Sequence, residues 1–381
     1  MTDLWQYLKT ASDSGRPILL YGMGNGADKI ISVCDAYGIP VSDVFASDGF
    51  VRGHSFHGRV VLSFTEACHT YGAENMIVLL SFASSRPEVL ETIERVAAAC
   101  EFYIPDVPVC GTDLFNAEFC EAHRTEIDAA RALLADEESR RVYDDIISYK
   151  LTGRMDILRS TESDPADAYR HILHAEDFVT AADLGAYNGD SIRDLRRYAP
   201  RLHTVLAMEP DRRNFRKLSE YAVSLQETGE PLTVYPIRAG AWSHTATLTF
   251  HGSGNRNAGL ADTPVNGSIL PSTADNPYFG KTAEVPVTAL DTAAEILAGI
   301  PVDYIKYDVE GAEAEALLGS RGIIHRDTPA LLVSAYHRSA DLFRLPLLVH
   351  ELNPAYKLYL RRMAGIPAWD INLYAVMDSF S

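Results

Sequence analysis

The first third of the chain alternates short apolar runs with stretches of helical spacing. Residues 17–21 are apolar, residues 22–26 read Gly-Met-Gly-Asn-Gly, and residues 27–37 carry apolar side chains at helical intervals. This order predicts a strand, a glycine turn and a helix. Further strands are predicted at 43–46, 59–62, 76–80 and 101–104, and helices at 64–71 and 86–99. The alternation predicts a small parallel α/β sheet.

The pattern changes between residues 112 and 170, where polar helix formers dominate and no strand-like run of useful length occurs. Ser163-Asp164-Pro165 has the form of a helix cap followed by proline at the first helical position. The segment is therefore predicted to be a helical connector. It divides a Rossmann-like domain at 1–111 from a second domain at 171–381.

A second series of strands and helices begins at residue 178, with helices predicted from the loop at 185–189 through Tyr198 and at 211–225. Strands are predicted at 178–184, 204–208, 232–236, 246–250, 284–287, 304–307, 330–335, 357–360 and 372–376. No helix separates the last two strands, so they are predicted to pair as an antiparallel hairpin at the sheet edge.

The segment from His251 to Lys281 is rich in Gly, Ser, Asn, Pro and Thr. Loops of this length are uncommon in compact domains unless they cover a site or lack fixed structure. The segment is interpreted either as a lid over the substrate or as a solvent loop without a role.

Composition and charge narrow the range of partners. The formal net charge is −18, which disfavours nucleic acid and anionic membrane surfaces, because both require a Lys/Arg-rich face. A small or neutral substrate fits better.

No apolar run approaches the length of a membrane span, and the start of the chain has no apolar signal region, so a cytoplasmic location is predicted. The five cysteines form no C-x-x-C pair and are interpreted as reduced. The oligomeric state is left open, a homo-oligomer included.

The loop Asp183-Leu-Gly-Ala-Tyr-Asn-Gly189 joins a buried-looking strand to a helix, the position at which open α/β sheets bind ligands. Gly185 and Gly189 permit close approach of the backbone to a ligand, and a helix N-terminus attracts anionic groups. The loop could serve NAD, a nucleotide or S-adenosylmethionine. Glu209 ends the next strand, where a carboxylate could accept both ribose hydroxyls; its alternative role is a structural one at a helix start.

Three carboxylates, Asp308, Glu310 and Glu313, crowd the end of the predicted strand at 304–307. Like charges so close raise at least one pKa, which suits a general base or a cation site. Alternatively, Glu313 and Glu315 only place negative charge in the first turn of the following helix, where the helix dipole favours it.

The segment Ile305-Lys-Tyr-Asp-Val-Glu-Gly-Ala-Glu313 resembles the hallmark of the FkbM-type methyltransferases. Matches to the same family include the loop at 183–190, Glu209-Pro210, Val287-Thr-Ala-Leu-Asp291 and Tyr336-His337 with Asp341, so the resemblance covers roughly residues 171–381. It implies a seven-stranded class I methyltransferase fold, S-adenosylmethionine as methyl donor, and O-methylation of a hydroxyl on a sugar, polyketide or similar metabolite.

The resemblance also implies which residues hold the donor. The methionine part would contact the glycine loop, the ribose would contact Glu209, and the adenine would lie near 238–241. This last segment departs from the common pattern, because it offers no Asp or Asn for the adenine amine. The implied cofactor residues are Asp183, Gly185, Ala186, Tyr187, Asn188, Gly189, Asp190, Ser191, Glu209, Pro210, Gly240 and Ala241.

Methyl transfer from a sulfonium is an in-line displacement, so the enzyme must align the acceptor oxygen and take its proton. Asp308 is the first candidate for the base and His337 the second, with Glu310 beside them. His337 could instead be a hydrogen-bonded structural histidine. A divalent ion such as Mg²⁺ or Mn²⁺ held by Asp308, Glu310 and His337 is a further hypothesis.

The N-terminal glycine turn, Gly22-Met-Gly-Asn-Gly-Ala27, fits a loose dinucleotide-binding pattern, and Asp48 follows the second strand where a ribose-binding acid would lie. The segment is similar to the Rossmann-like domains of nucleotide-sugar-modifying enzymes. Three readings stay open for it: a nucleotide-sugar pocket, an NAD-dependent oxidoreductase or epimerase, and a purely structural domain. A nonenzymatic ligand sensor is a further alternative for the whole chain.

Overall fold

The computed structural model describes residues 3–51, 53, 55–251, 259–260 and 282–378. Near the N-terminus a five-stranded parallel sheet has the order β5-β2-β1-β6-β7. Its strands are β1 Ile18–Tyr21, β2 Asp43–Ala46, β5 Leu62–Ser63, β6 Ile77–Leu80 and β7 Glu101–Tyr103, with β3 Ser55–Phe56 and β4 Arg59–Val60 forming a separate pair. The sequence prediction of a parallel α/β sheet is confirmed.

The second sheet has seven strands in the order β10-β9-β8-β15-β16-β18-β17. Its strands are β8 Thr180–Leu184, β9 Thr204–Met208, β10 Thr233–Ile237, β15 Tyr304–Tyr307, β16 Ala330–Ser334, β17 Lys357–Arg362 and β18 Ile371–Val376. Strand β18 is antiparallel to both β16 and β17. The predicted hairpin is therefore confirmed, with β17 at the sheet edge.

Two predicted strands belong to neither large sheet. They pair with each other as β12 Ala246–His251 and β14 Thr282–Thr288, and with the short β11 Gly240–Ala241 and β13 Gly259–Leu260 in a four-stranded sheet. Apolar alternation does not say which sheet a strand joins, because hydrogen-bond partners are chosen at long range. The proposed lid falls mostly at 252–258 and 261–281, which lie outside the described residues.

Helices flank both sheets and form the connector. In the N-terminal part they are α1 Leu4–Asp13, α2 Asn25–Ala36, α3 Phe64–Tyr71 and α4 Pro87–Ala99; in the connector they are α5 Ala117–Ala122, α6 Arg124–Ala132, α7 Glu137–Thr152, α8 Met155–Ser160 and α9 Pro165–Asp167. In the C-terminal part they are α10 Asp190–Leu195, α11 Arg212–Glu227, α12 Leu290–Ala293, α13 Glu313–Leu318, α14 Arg321–Asp327 and α15 Asp341–Leu352. No helix of the described ranges is long and apolar enough to cross a membrane.

Local sequence signals explain several helix ends. The Asp164 side chain accepts the backbone N–H of Ala166 and Pro165 follows at the first helical position, as predicted for a cap. Helix α10 ends at Leu195 rather than at Tyr198. Arg197 and Tyr198 donate to the carbonyls of Asp194 and Leu195, three residues back, so the chain continues as tighter turns beyond the α-helix.

The connector packs against the edge of the seven-stranded sheet. Buried residues of α7 and of β17 belong to one apolar core cluster, which includes Tyr149 and Leu358. The buried Arg361 of β17 donates to Asp136 at the start of α7, with Nη2 2.6 Å from Oδ2. This charge-assisted contact ties the start of α7 to the edge strand of the second sheet.

Candidate functional site

A cavity of about 740 Å³ opens at the carboxyl ends of the central strands of the seven-stranded sheet. Its size lies within the usual range for small-molecule sites. We group its lining into a first end, formed by the loop after β8, Glu209 after β9 and β11, and a second end, formed by residues 83–86 and 365–370. Asp308 and His337, which follow β15 and β16, line the same cavity.

The loop after β8 turns sharply at two glycines. Gly185 has φ +88° and Gly189 has φ +83°, conformations that other residues rarely adopt. A Cβ on Gly185 would overlap the backbone carbonyl oxygen of Asp308. The loop backbone therefore packs directly on the end of β15, which brings the predicted cofactor loop and the predicted catalytic segment into contact.

Glu209 is 6% exposed and lies at the predicted place, beside this loop. Its Oε2 accepts the N–H of Tyr187 at 2.9 Å, and its Oε1 accepts the N–H of Asp211 at 2.8 Å. Asp211 is the N-cap of α11, so Glu209 has part of the structural role considered for it. Each carboxylate oxygen keeps a second lone pair, which leaves acceptor capacity for a ligand in the cavity.

Burial raises the pKa of Glu209 to about 7, while its two backbone hydrogen bonds act in the opposite direction. A carboxyl group with this pKa changes its charge near neutral pH. Its capacity to accept hydrogen bonds from hydroxyls therefore depends on pH in the physiological range.

The predicted cofactor residues divide into two groups. Those lining the cavity are Gly185, Tyr187, Asp190, Ser191, Glu209, Pro210, Gly240 and Ala241. Those that do not line it are Asp183, Ala186, Asn188 and Gly189. Members of the second group support the loop instead: Gly189 donates to the Ala186 carbonyl at 2.7 Å, and Asp183 accepts a hydrogen bond from the Ser191 hydroxyl.

Lys306 is a cavity residue to which the sequence analysis assigned no role. Its Nζ lies 3.0 Å from Asp308 Oδ2 and 3.8 Å from Asp183 Oδ1, so it bridges the ends of two adjacent strands. Burial lowers the pKa of Lys306, but the two carboxylates outweigh burial and raise it, so the ammonium stays charged. A lysine within the apolar run at 304–307 was the available signal, since an unpaired charge is rarely buried.

Asn214 is a second cavity residue without a predicted role. It is 3% exposed, and its side-chain Oδ1 has no hydrogen-bond partner within the described part of the chain. A buried amide oxygen without a partner is costly unless a ligand or water satisfies it. Nothing in the local pattern distinguished this residue from an ordinary amide in the first turn of α11.

His337 is fully buried and contacts three carboxylates. Its Nδ1 lies 2.9 Å from Glu313 Oε1, and its Nε2 lies 3.6 Å from both Asp308 Oδ1 and Glu310 Oε2. Glu313 also accepts the N–H of Val309 at 2.9 Å. Glu313 therefore orients the ring, and Nε2 points between the other two carboxylates without a hydrogen-bond partner among the described residues.

The charges of this cluster differ in their pKa values. Burial raises the pKa of Asp308, but Lys306 and His337 outweigh burial and lower it to about 2. Burial, together with Asp308 and Glu313, raises the pKa of Glu310 to about 7. Burial lowers the pKa of His337, but Glu313, Glu310 and Asp308 outweigh it and raise it to about 10.

Glu310 has a further distinguishing feature. Its backbone adopts φ +54°, in the left-handed region that is uncommon for residues other than glycine. Strained backbone of this kind is concentrated at functional sites. Its side chain is 27% exposed and faces the cavity, so a ligand there could reach it.

The N-terminal glycine turn has a packing explanation. A Cβ on Gly26 would overlap the Ser81 carbonyl oxygen, and a Cβ on Gly22 would meet the Phe82 ring. Asp48 accepts hydrogen bonds from the Thr65 backbone at 3.1 Å and from its hydroxyl at 2.8 Å. The groups considered for nucleotide binding are thus used within the domain.

The seven-stranded order and the site at the carboxyl ends of its strands define a methyltransferase fold of class I. Residues 183–360 match the family model of the methyltransferase FkbM domain. This match agrees with the hallmark at 305–313.

One solved structure supports the fold over a longer range. The crystal structure of methyltransferase FkbM from Methylobacillus flagellatus has 18% identity and a TM-score of 0.70, covering 98% of this chain and 94% of that one. The precorrin-6y C5,15-methyltransferase of Geobacter metallireducens has 10% identity and a TM-score of 0.32, covering 56% and 87%. No curated protein matches the sequence. The first likeness includes the N-terminal part, so that structure shares the fold of both parts of the chain.

Proposed function

We propose that the protein is an S-adenosylmethionine-dependent O-methyltransferase that acts on a hydroxyl of a carbohydrate, a glycan precursor or a related metabolite. The observation that carries this proposal is the single cavity that joins Glu209 and the glycine loop to the cluster of Asp308, Glu310 and His337. Bound S-adenosylmethionine would supply an activated methyl group there. The activity needs no basic surface, in agreement with the charge of −18.

The residues at one end of the cavity fit the proposed donor. The free lone pairs of Glu209 suit the two hydroxyls of a ribose, and Gly240 and Ala241 provide a flat, apolar edge for a base. Asn214 offers an amide whose oxygen has no partner among the residues described. This amide could give the adenine amine the polar contact that the segment at 238–241 does not offer.

Glu310 is the proposed proton acceptor. A general base works best when its pKa lies near the operating pH, and the pKa of about 7 at Glu310 meets that condition. The low pKa of Asp308 makes it a weak base, and the high pKa of His337 keeps its ring protonated. The acceptor O–H would give its proton to Glu310 while its oxygen forms the bond to the methyl carbon and the C–S bond of the donor breaks.

A divalent ion bound by Asp308, Glu310 and His337 is the second candidate for activating the hydroxyl. It is favoured by the unpartnered His337 Nε2, 3.6 Å from each of two carboxylate oxygens. Glu313 on the other ring nitrogen would be the usual orienting partner of a metal-bound histidine. Among the described residues, the group whose possible ligand atoms lie within 4.8 Å of one another is Asp308, Glu313 and His337, so an ion could also take Glu313 in place of Glu310.

The second end of the cavity fits a hydroxyl-rich acceptor. Its lining includes the aromatic Trp369 and the polar residues Asp370, Ser84 and Ser85. An apolar wall with a few placed polar groups is the usual composition of a small-molecule site.

The oxidoreductase alternative is less well supported, because the Asp48 carboxylate already accepts hydrogen bonds from Thr65. A cytoplasmic location and a homo-oligomeric state stay predictions.

Replacing Glu209 with alanine tests the donor site. Loss of hydrogen bonds to a charged group costs about 1.5–3 kcal/mol, so we expect the Kd for S-adenosylmethionine to rise roughly 10- to 150-fold. Isothermal titration calorimetry measures the change. Glu220→Ala, on the exposed face of α11, is the control and should bind as the wild type does. Absence of binding by the wild-type protein would remove the proposal.

The same site predicts a pH dependence of donor binding. Ionised Glu209 accepts hydrogen bonds from both hydroxyls, whereas the protonated form keeps less acceptor capacity. Because its pKa is raised to about 7, affinity should be full above that pH and should fall as the pH drops through it. Titrations at several pH values should show this slope in the wild type and not in Glu209→Gln. An equal slope in both would assign the titration to another group.

A further inference from the structure

Part of the cavity wall comes from the N-terminal domain. Residues 83–86, which follow β6, line the acceptor end together with Val109 of the segment after β7. The Ser84 backbone pairs with Ile366 through two hydrogen bonds of 2.8 and 3.0 Å. A loop of the N-terminal sheet is thus joined directly to the loop between β17 and β18, which lines the same end.

The glycine turn of the N-terminal sheet supports this wall. Ser81 donates its N–H to the Tyr21 carbonyl at 3.0 Å, directly before the turn. Gly22 and Gly26 leave the space that Ser81 and Phe82 occupy. Any larger residue at position 26 would push the Ser81 backbone, and with it the start of the wall, because the obstacle is a carbonyl oxygen rather than a flexible side chain.

Helix α2, which begins in the same turn, holds the second wall segment. Lys29 Nζ donates to the carbonyls of Pro108 and Val109 at 2.8 and 2.6 Å. The next residue, Cys110, donates its N–H to the His337 carbonyl at 2.8 Å. The N-terminal domain is therefore tied by hydrogen bonds to the backbone of the catalytic cluster.

We propose that the N-terminal domain recognises the methyl acceptor, with residues 83–86 as the contacting wall and with Gly26 and Lys29 as positioning residues. The proposal rests on the proposed function, since it concerns the acceptor end of the same cavity. It gives the glycine turn a role that does not involve a nucleotide. Ser84, Ser85 and Trp369 line the same cavity, and hydroxyl groups beside an aromatic ring suit a saccharide ring, which is the acceptor class we assign to this wall.

Two substitutions test the wall by methyl transfer. The donor is radiolabelled S-adenosylmethionine, and the acceptor pool is a protein-free extract of the source organism. Ser85→Trp should lower transfer to the carbohydrate fraction about tenfold or more, because misplacing a substrate by about 1 Å already costs up to 10²-fold. Its control is Val60→Trp, at a position that is 70% exposed in the same domain.

Gly26→Ala should raise the extract concentration needed for half-maximal transfer about tenfold and leave the maximal rate and the donor Kd within about threefold. Gly49→Ala, where a Cβ meets nothing within 4 Å, should behave as the wild type. If Gly26 were only structural, the substitution would lower the maximal rate in proportion to the fraction of folded protein. The extract concentration needed for half-maximal transfer would then stay unchanged. The proposal would be overturned if Ser85→Trp transferred methyl groups at the wild-type rate. It would also be overturned if the variant lost donor affinity by the same factor as it lost transfer. Failure of the proposed function shows separately, as absent donor binding by the wild type.

Discussion

Glu310→Gln is expected to lower kcat by about 10²–10⁴-fold, the usual contribution of a general base. The substitution keeps the size and the hydrogen-bonding shape of the side chain but removes its ability to take a proton. The Kd for S-adenosylmethionine should stay within about threefold, because Glu310 lies beyond the donor end of the cavity. Initial rates with labelled donor and the acceptor from the extract measure kcat.

The control is Glu315→Gln, which removes a carboxylate from the first turn of α13 and leaves Asp308, Glu310 and His337 in place. The wild-type rate should rise with pH through about 7, since the base must be unprotonated, and this rise should vanish in Glu310→Gln. An unchanged kcat would place the base elsewhere. Inactivation of the wild type by a chelator, with recovery on adding Mn²⁺, would favour the divalent ion over the metal-free base.

Gly185→Ala is expected to reduce the free energy of unfolding by about 2–5 kcal/mol, from the left-handed conformation and from overpacking together. Its φ of +88° disfavours a side chain, and the added Cβ would overlap the Asp308 carbonyl oxygen. Because the obstacle is backbone, relief requires a shift of the loop or of the end of β15. Donor binding and catalysis should therefore weaken together.

Gly229→Ala separates the two causes, since it has φ +71° but meets nothing within 4 Å. It should lose only about 1–2 kcal/mol, the cost of left-handed backbone. Urea unfolding followed by tryptophan fluorescence measures both variants. Equal losses at the two positions would mean that the contact between the cofactor loop and β15 contributes little to stability.

Local pattern was sufficient for many elements of the fold. Helix α3 at Phe64–Tyr71 has the bounds expected from its spacing, because Ser63 and Glu66 form a capping box at its start. The sequence order of strands and helices also predicted a parallel sheet near the N-terminus and a second sheet with an antiparallel hairpin at its edge. Strands β12 and β14 were foreseen as strands, but their separate sheet was not, since alternation carries no information on distant partners.

The candidate site was foreseen in part. Glu209, the glycine loop and the carboxylates after β15 are close in the fold, because adjacent parallel strands end at one edge of a sheet. The preference among the candidate bases changed with the structure. Asp308 was the first candidate from position alone. Its pKa is lowered by Lys306, two residues earlier in the chain, and by His337, which the fold brings from the next strand, and this favours Glu310.

The sequence by itself determined the two α/β series, the helices between them, the fold class and the strand ends that line the candidate site. These are local properties, set by periodicity, caps and short motifs. Only the tertiary structure decided the bridge from Asp183 through Lys306 to Asp308, the orientation of His337 by Glu313, and the place of residues 83–86 in the cavity wall. Each joins segments far apart in the chain, whose contacts depend on how complete sheets pack.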